Sequence, residues 1–285
     1  MQENIPVTAT NMTNHSATTR PVRKRKHIIM PAEHGSWSWF LVPFLTGVLV
    51  AGQFNLAVLL TLVGGLAAFL MRQPATVWLR ASRGKGRRSD AALAAKWTLG
   101  LGGTAVLSLA GLLWLGHTEL LWLALPIMPL LAIYLFVAYR KRANTRSLGM
   151  EMAGAIALAI MAPAALAAAT GSLSSTSWVL WGVLAAKNVL GGLYARTRIF
   201  DTHNRPVSRS SLFWWHLGVA LLAGWLVFQQ WLPWLALIPF LFLLVRATWT
   251  AVSPRPIANI RRFGFGEMGL SFLIGLIIAA GYWLG

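Results

Sequence analysis

The chain has 285 residues, of which 56% are hydrophobic and only 11% are charged, and it contains 15 Trp. This composition excludes an ordinary soluble domain and is typical of a polytopic helical membrane protein, so we expect an all-α fold. The absence of cysteine excludes disulfide bonds, thiolate metal sites and a cysteine nucleophile.

The first 30 residues are polar and end in a basic run over residues 20–27. We interpret residues 1–30 as a disordered cytoplasmic tail whose basic run contacts anionic lipid headgroups. No apolar stretch adjoins this run, so we do not expect a signal peptide. A nucleic-acid-binding arm is the alternative, but no folded binding module accompanies it. The remainder, residues 31–285, is predicted to be a single transmembrane domain.

Apolar runs after Gly35 predict about nine transmembrane helices. The first two are short for a hydrocarbon core of about 30 Å. Four of the connections are tight turns, which indicates antiparallel helical hairpins. The nine predicted spans lie near Trp37–Ala51, Leu56–Met71, Leu93–Leu115, Leu120–Tyr139, Met150–Ala169, Trp178–Phe200, Leu212–Phe228, Trp231–Val252 and Met268–Leu284.

The Lys and Arg residues lie on one side of this predicted topology. Seven lie between Arg72 and Lys96, four between Arg140 and Arg146, and four between Arg196 and Arg209, whereas the four tight turns contain none. This bias predicts a cytoplasmic N-terminus and an external C-terminus. It also accounts for the net charge of +18 as a topogenic signal, so we expect no nucleic-acid partner.

Two polar motifs precede the middle of the chain. Glu33 and His34 stand just before the first helix and form a pair capable of acid–base chemistry, so both are candidate catalytic residues. A capped helix entrance is the alternative interpretation. Arg72-Gln73-Pro74 is expected to interrupt the second helix, because proline lacks a backbone N–H, and Arg72 is a candidate ligand-binding residue.

A polar stripe then runs along the sixth predicted helix. Lys187, Tyr194, Arg198 and Asp201 fall on one helical face. Ionisable groups at membrane depth are costly and usually face a cavity. A snorkelling lysine followed by ordinary cytoplasmic arginines is the alternative. The stripe and its surroundings supply the substrate-binding candidates, which together are Arg72, Lys187, Asn188, Tyr194, Arg196, Arg198 and Glu267.

Four carboxylates lie near helix mouths on the cytoplasmic side, namely Glu33, Glu151, Asp201 and Glu267. They either pair with the arginines or hold a divalent ion through oxygen ligands, and the sequence does not decide between these roles. Asp201 is the third candidate catalytic residue. We assign no metal ligands, and the sequence specifies no cofactor.

Three stretches carry a family resemblance: Pro31–Trp37, Arg72-Gln73-Pro74 and Tyr194–Asp201 resemble the YwiC-like family of bacterial membrane proteins. This resemblance implies a multi-pass protein of the bacterial inner membrane. In architecture the chain is similar to the UbiA superfamily of intramembrane prenyltransferases, which have nine helices and polar motifs after the second and sixth. The first UbiA motif is an Asp-rich cluster that holds diphosphate through magnesium. This chain has no Asp before Asp90 and retains only Asp201 in the second motif.

Three classes of function follow from these features. The leading hypothesis is a UbiA-like enzyme or binding protein for an isoprenoid or other anionic amphiphilic ligand taken from the lipid bilayer, with Arg replacing the metal. The alternatives are a small-anion transporter that uses the Lys187–Arg198 stripe and a non-catalytic membrane scaffold. A wide cavity favours the first, a route from Lys187 to the outer surface favours the second, and a filled bundle favours the third. The oligomeric state is left open.

Overall fold

A computed structural model describes residues 34–84, 88–139 and 147–285, and within these ranges all regular structure is helical. Short 3₁₀ turns, Thr118–Leu123 and Trp234–Ala236, precede α4 and α9, respectively. The helices are α1 His34–Ala51, α2 Leu56–Ser82, α3 Arg88–Trp114, α4 Ala124–Tyr139, α5 Leu148–Leu158, α6 Met161–Thr170, α7 Ser175–Thr202, α8 Arg209–Phe228, α9 Leu237–Val252 and α10 Ile260–Leu284.

The ten helices of the described residues form nine rods, because α5 and α6 are two halves of one bent helix. The break falls at Ala159 and Ile160, where Pro163 cannot donate a hydrogen bond to the carbonyl four residues earlier. The nine rods lie at the predicted positions. The all-α prediction is therefore confirmed for the described residues.

Two predicted helix boundaries are wrong. The second helix does not end at Met71 and is not interrupted at Pro74, because α2 continues to Ser82. A single proline removes one hydrogen bond, which a 27-residue helix tolerates. The last helix begins at Ile260 rather than at Met268, so Glu267 lies in the second turn of α10 and not at its start.

Six of these rods are long and apolar enough to cross a membrane: α2, α3, the bent α5–α6 rod, α8, the rod ending in α9, and α10. Large apolar side chains on their outer faces are exposed, as with Trp114 at 91% and Phe228 at 82%. Such faces suit hydrocarbon rather than water. By length and composition the chain is thus a multi-pass membrane protein, while the orientation of its ends stays a prediction.

Close contacts place α1 at the centre of the bundle, between α6 and α10. Gly47 meets the backbone carbonyl of Ala162, so a Cβ at this position would collide with α6. On the other side Gly275 of α10 contacts Val42 and Thr46 of α1. Small residues allow this approach of helix backbones within a membrane. α7 completes the centre, and its start is fixed by a reciprocal capping box between Ser174 and Ser177.

Candidate functional site

A cavity of about 650 Å³ opens between α1, α7, α9 and α10. This volume lies in the range of small-molecule sites, which are mostly apolar with a few convergent polar groups. Apolar side chains such as Leu243, Phe263 and Ile274 form most of the wall. The polar side chains in the wall are Ser38, Lys187, Asn188, Arg246, Arg261, Glu267 and Ser271.

α1 and α7 lie on either side of the cavity. The two helices meet where Asn188 Nδ2 donates to the carbonyl of Trp39. From this contact α7 continues for ~21 Å to Thr202, at ~1.5 Å per residue. Gly35 and Ser38 of α1 line the cavity on the opposite side.

Lys187 lies at the inner part of the cavity, near the middle of α7 and ~18 Å from its start. Its side chain is almost fully buried, with the residue 3% exposed. Nζ donates a hydrogen bond to the hydroxyl of Ser271 on α10. Within the described residues no carboxylate pairs with this lysine. In the described part of the chain the ammonium group is thus removed from water with a neutral hydroxyl as its partner.

Asn188, which is 1% exposed, holds α7 against two other helices. Its Nδ2 donates to the carbonyl oxygens of Trp39 and Ala155, each at 3.2 Å. The carbonyl of Trp39 lacks its usual donor because the residue four positions later is Pro43. Both partners are acceptors, so the amide nitrogen must face them. Its Oδ1 then has no hydrogen-bond donor among the described residues.

An ion pair lies in the same wall, nearer the end of the bundle that carries the α7–α8 and α9–α10 loops, which we call the loop end. Arg246 Nη1 of α9 contacts Glu267 Oε1 of α10 at 2.7 Å. The guanidinium also stacks on the Tyr194 ring, with Cζ 3.7 Å from the ring centroid, a cation–π geometry. Sequence reasoning missed Arg246, because it counted this residue only as a topogenic charge. The missed signal was an arginine inside an apolar helix, the same signal that singled out Lys187.

Tyr194 and Arg198 lie behind the wall and not in it. Tyr194 is buried, and its hydroxyl accepts a hydrogen bond from Arg198 Nη1 at 2.7 Å. Arg198 Nε donates to the carbonyl of Arg255 at 2.6 Å, and its Cζ lies 5.3 Å from the ring of Phe263, which does line the cavity. These two candidates therefore support the wall through Phe263.

Asp201 ties the loop ends of three helices together. Its carboxylate is buried and accepts hydrogen bonds from Arg209 Nη2 and from the backbone N–H of Arg255, the latter at 2.9 Å. Arg209 also donates to the carbonyl of Thr250 at 2.6 Å. Asp201 thus joins the end of α7 to the start of α8 and to the α9–α10 loop, outside the cavity wall.

The remaining candidates are spread over the loop end. Neither Arg196 nor Arg72 lies in the cavity wall. Arg196 Nη1 pairs with Glu151 of α5 at 3.1 Å, and Arg72 of α2 is half-buried. Glu33 lies outside the described residues. His34 is the first residue of α1, directly before Gly35 of the wall. The structure does not bring Arg72, Arg196 and Arg198 together as one group facing the cavity.

The cavity is closed towards the start of α7. On that side of Lys187 the buried residues Leu180 and Leu184 pack with Phe240 and Ile278 in a dry apolar core. Of the described residues of this core, Leu243 and Ile274 line the cavity, together with Leu270, which packs against the core. The cavity therefore opens at the loop end, where the exposed residues Arg261 and Phe265 form its rim.

Comparisons with known proteins agree with the resemblance seen in the sequence. Residues 30–166 match the family model described as "YwiC-like protein". The chain is 26% identical over 199 residues to a Bacillus subtilis (strain 168) protein described as "Uncharacterized protein YwiC", covering 70% of this chain and 76% of that protein. No solved structure matches. The predicted YwiC-like resemblance is confirmed, and most of the cavity wall, from α7, α9 and α10, lies beyond the part that the family model covers.

Proposed function

We propose that this YwiC-like membrane protein binds a lipid-soluble ligand with an anionic head group in the cavity between α1, α7, α9 and α10. The observation that carries the proposal is Lys187, a buried lysine in a largely apolar wall with no carboxylate partner among the described residues. Removing an ammonium group from water costs several kcal/mol unless a counter-charge accompanies it. A bound anion supplies that counter-charge.

Two arginines add to the attraction for an anion. Arg246 and Arg261 bring two more positive charges to the wall against Glu267, the carboxylate that the described residues contribute. With Lys187, the charged side chains of the described wall sum to a formal charge of +2.

The apolar part of the wall suits an isoprenoid or alkyl chain. Leu243, Phe263, Met268 and Ile274 offer such a chain a surface equivalent to lipid. The closed inner end favours a ligand that binds and leaves on one side over an ion that crosses the membrane. This geometry supports binding or chemistry in preference to transport.

The nine rods and the loop-side cavity also support a UbiA-like architecture, which we propose with a different anion-binding device. The sequence suggested a clamp of Arg72, Arg196 and Arg198, but Arg196 is engaged by Glu151 and Arg198 by the carbonyl of Arg255. We therefore assign the primary anion contact to Lys187. Glu33 and His34 remain the proposed acid–base pair, since they directly precede the first cavity residue.

The test is a thermal-shift titration of the detergent-solubilised protein with isoprenyl diphosphates, with and without EDTA. We expect the ligand to raise the melting temperature of the wild type in both conditions. Lys187→Met should fold and lose the shift, whereas Lys96→Met, which alters an exposed lysine on α3, should keep it. Strict dependence on magnesium, or equal shifts in both variants, would contradict the proposal.

A further inference from the structure

The inner end of the cavity offers a ligand both donors and an acceptor. Lys187 Nζ has three N–H donors and directs one to Ser271 Oγ, so two have no acceptor among the described residues, and the Ser271 hydroxyl keeps its own hydrogen. The acceptor is Asn188 Oδ1, which is buried and has no donor among the described residues. All three side chains belong to the cavity wall.

The position of the acceptor is fixed by the protein backbone. Turning the Asn188 amide over would set Oδ1 against the carbonyl oxygens of Trp39 and Ala155, both of which require a donor. Oδ1 must therefore point away from these two carbonyls. A buried acceptor without a donor is costly, so a ligand that brings an O–H or N–H to this atom binds more tightly than one that does not.

We infer that the head group of the ligand carries a proton beside its negative charge, as in a phosphate or phosphonate with one P–OH group. Its anionic oxygens accept hydrogen bonds from Lys187 and Ser271, and its P–OH donates to Asn188 Oδ1. This inference rests on the proposed function, because it specifies the head group of the same ligand. A phosphate monoester has its second pKa near about 6, so a singly protonated form is accessible close to neutral pH.

The same reasoning predicts discrimination against sulfonates. A sulfonate has the shape and the negative charge of a protonated phosphonate but carries no proton at mildly acidic or neutral pH. All of its oxygens are acceptors. One of them would face Asn188 Oδ1, also an acceptor, and the two oxygens would repel each other instead of forming a hydrogen bond. A site that recognises a proton in this way rejects the analogue that lacks it far better than a site that recognises size.

The experiment compares hexylphosphonate with hexanesulfonate, two ligands with the same tail, by calorimetric titration of the full chain in nanodiscs at mildly acidic pH. Empty nanodiscs correct for partitioning into lipid. We expect the phosphonate to bind at least about tenfold more tightly to the wild type. In Asn188→Ala the ratio should fall to within about twofold, while Asn55→Ala, which removes an amide that bonds the carbonyls of Ala168 and Ala169 outside the cavity wall, should keep the wild-type ratio.

The wild-type comparison decides the inference even if Asn188→Ala fails to fold. Equal binding of the two ligands, or tighter binding of the sulfonate, overturns the requirement for a proton and leaves the proposed anion site standing. A preference that persists unchanged in folded Asn188→Ala also overturns it. Failure of both ligands to bind above the empty nanodiscs overturns the inference and the proposed function together.

Discussion

Asn188 is held in place by a carbonyl of α1 that has no donor within its own helix, and a quantitative prediction follows from this arrangement. Pro43 deprives the carbonyl of Trp39 of its helical donor, and Asn188 Nδ2 replaces that donor from α7 at 3.2 Å. In Pro43→Ala the backbone N–H returns and serves the same carbonyl. The stabilising effect of Asn188 should therefore depend on whether residue 43 is proline.

The magnitude follows from the number of bonds at stake. Asn188→Leu removes two hydrogen bonds, but the carbonyl of Ala155 keeps the N–H of Ala159 as a second donor at 3.3 Å. Interhelical side-chain hydrogen bonds in membranes contribute about 0.6 kcal/mol on average and up to about 1.7, while an unsatisfied buried carbonyl costs about 1–3 kcal/mol. Because Asn188→Leu also removes the buried Oδ1 that has no donor among the described residues, part of this loss is offset, and we expect the free energy of unfolding to fall by at most about 1–2 kcal/mol in the native background.

A double-mutant cycle measures the dependence directly. The free energy of unfolding is determined for the wild type, Pro43→Ala, Asn188→Leu and the double variant, by reversible unfolding in mixed dodecylmaltoside and SDS micelles. Asn188→Leu should cost about 0.5–1.5 kcal/mol less in the Pro43→Ala background. Independent sites add to within about 0.3–0.5 kcal/mol. Additivity within that margin would refute the exchange of donors between Pro43 and Asn188.

Three further predictions concern packing, the loop-end clamp and topology. Gly47→Ala should lower the free energy of unfolding by about 1–3 kcal/mol, because its Cβ would meet a backbone carbonyl, whereas Gly103→Ala, which meets nothing, should have no destabilising effect; equal effects in denaturation experiments would contradict the close contact. Asp201→Ala should lower it by about 1–3 kcal/mol, more than Asp90→Ala on α3, because the half-buried Arg209 loses its carboxylate and the backbone N–H of Arg255 loses its acceptor, yet it should leave ligand binding intact below the melting temperature; loss of binding in a folded variant would instead assign Asp201 to the site. Reporter fusions in the loops after α1 and α6 should score as external and those after α7 and α9 as cytoplasmic, and an inversion within this series would break the predicted topology.

The positions of the helices were predictable because each is an apolar run bounded by a turn. Their ends were not, because a helix continues past the apolar run wherever its next residues have no reason to stop it. α10 begins at Ile260, eight residues before its predicted apolar span, and α2 continues through Pro74 to Ser82. The backbone cost of one proline or a few polar residues is smaller than the gain from extending a long helix.

The candidate site was predictable in part for a similar reason. Lys187 and Asn188 interrupt an apolar helix, and the structure places both in the cavity wall. Helical periodicity gives the face of a residue but not its partner on another helix. Arg198 shares the face of Lys187, yet it lies ~16 Å farther along α7 and bonds the backbone of Arg255. Arg246 was not predicted, because the positive-inside rule counts every arginine alike, whatever its depth in a helix.

The most direct measurement of the proposed anion site uses the absence of native cysteine from the chain. Ala195→Cys places one thiol in the cavity wall, and Ser82→Cys places one on an exposed surface at the end of α2. We predict that an isoprenyl diphosphate slows the reaction of the cavity thiol with a small maleimide, leaves the control thiol unaffected, and gives no protection when Lys187→Met is added. Equal labelling rates with and without a saturating ligand, or protection that survives Lys187→Met, would contradict the account.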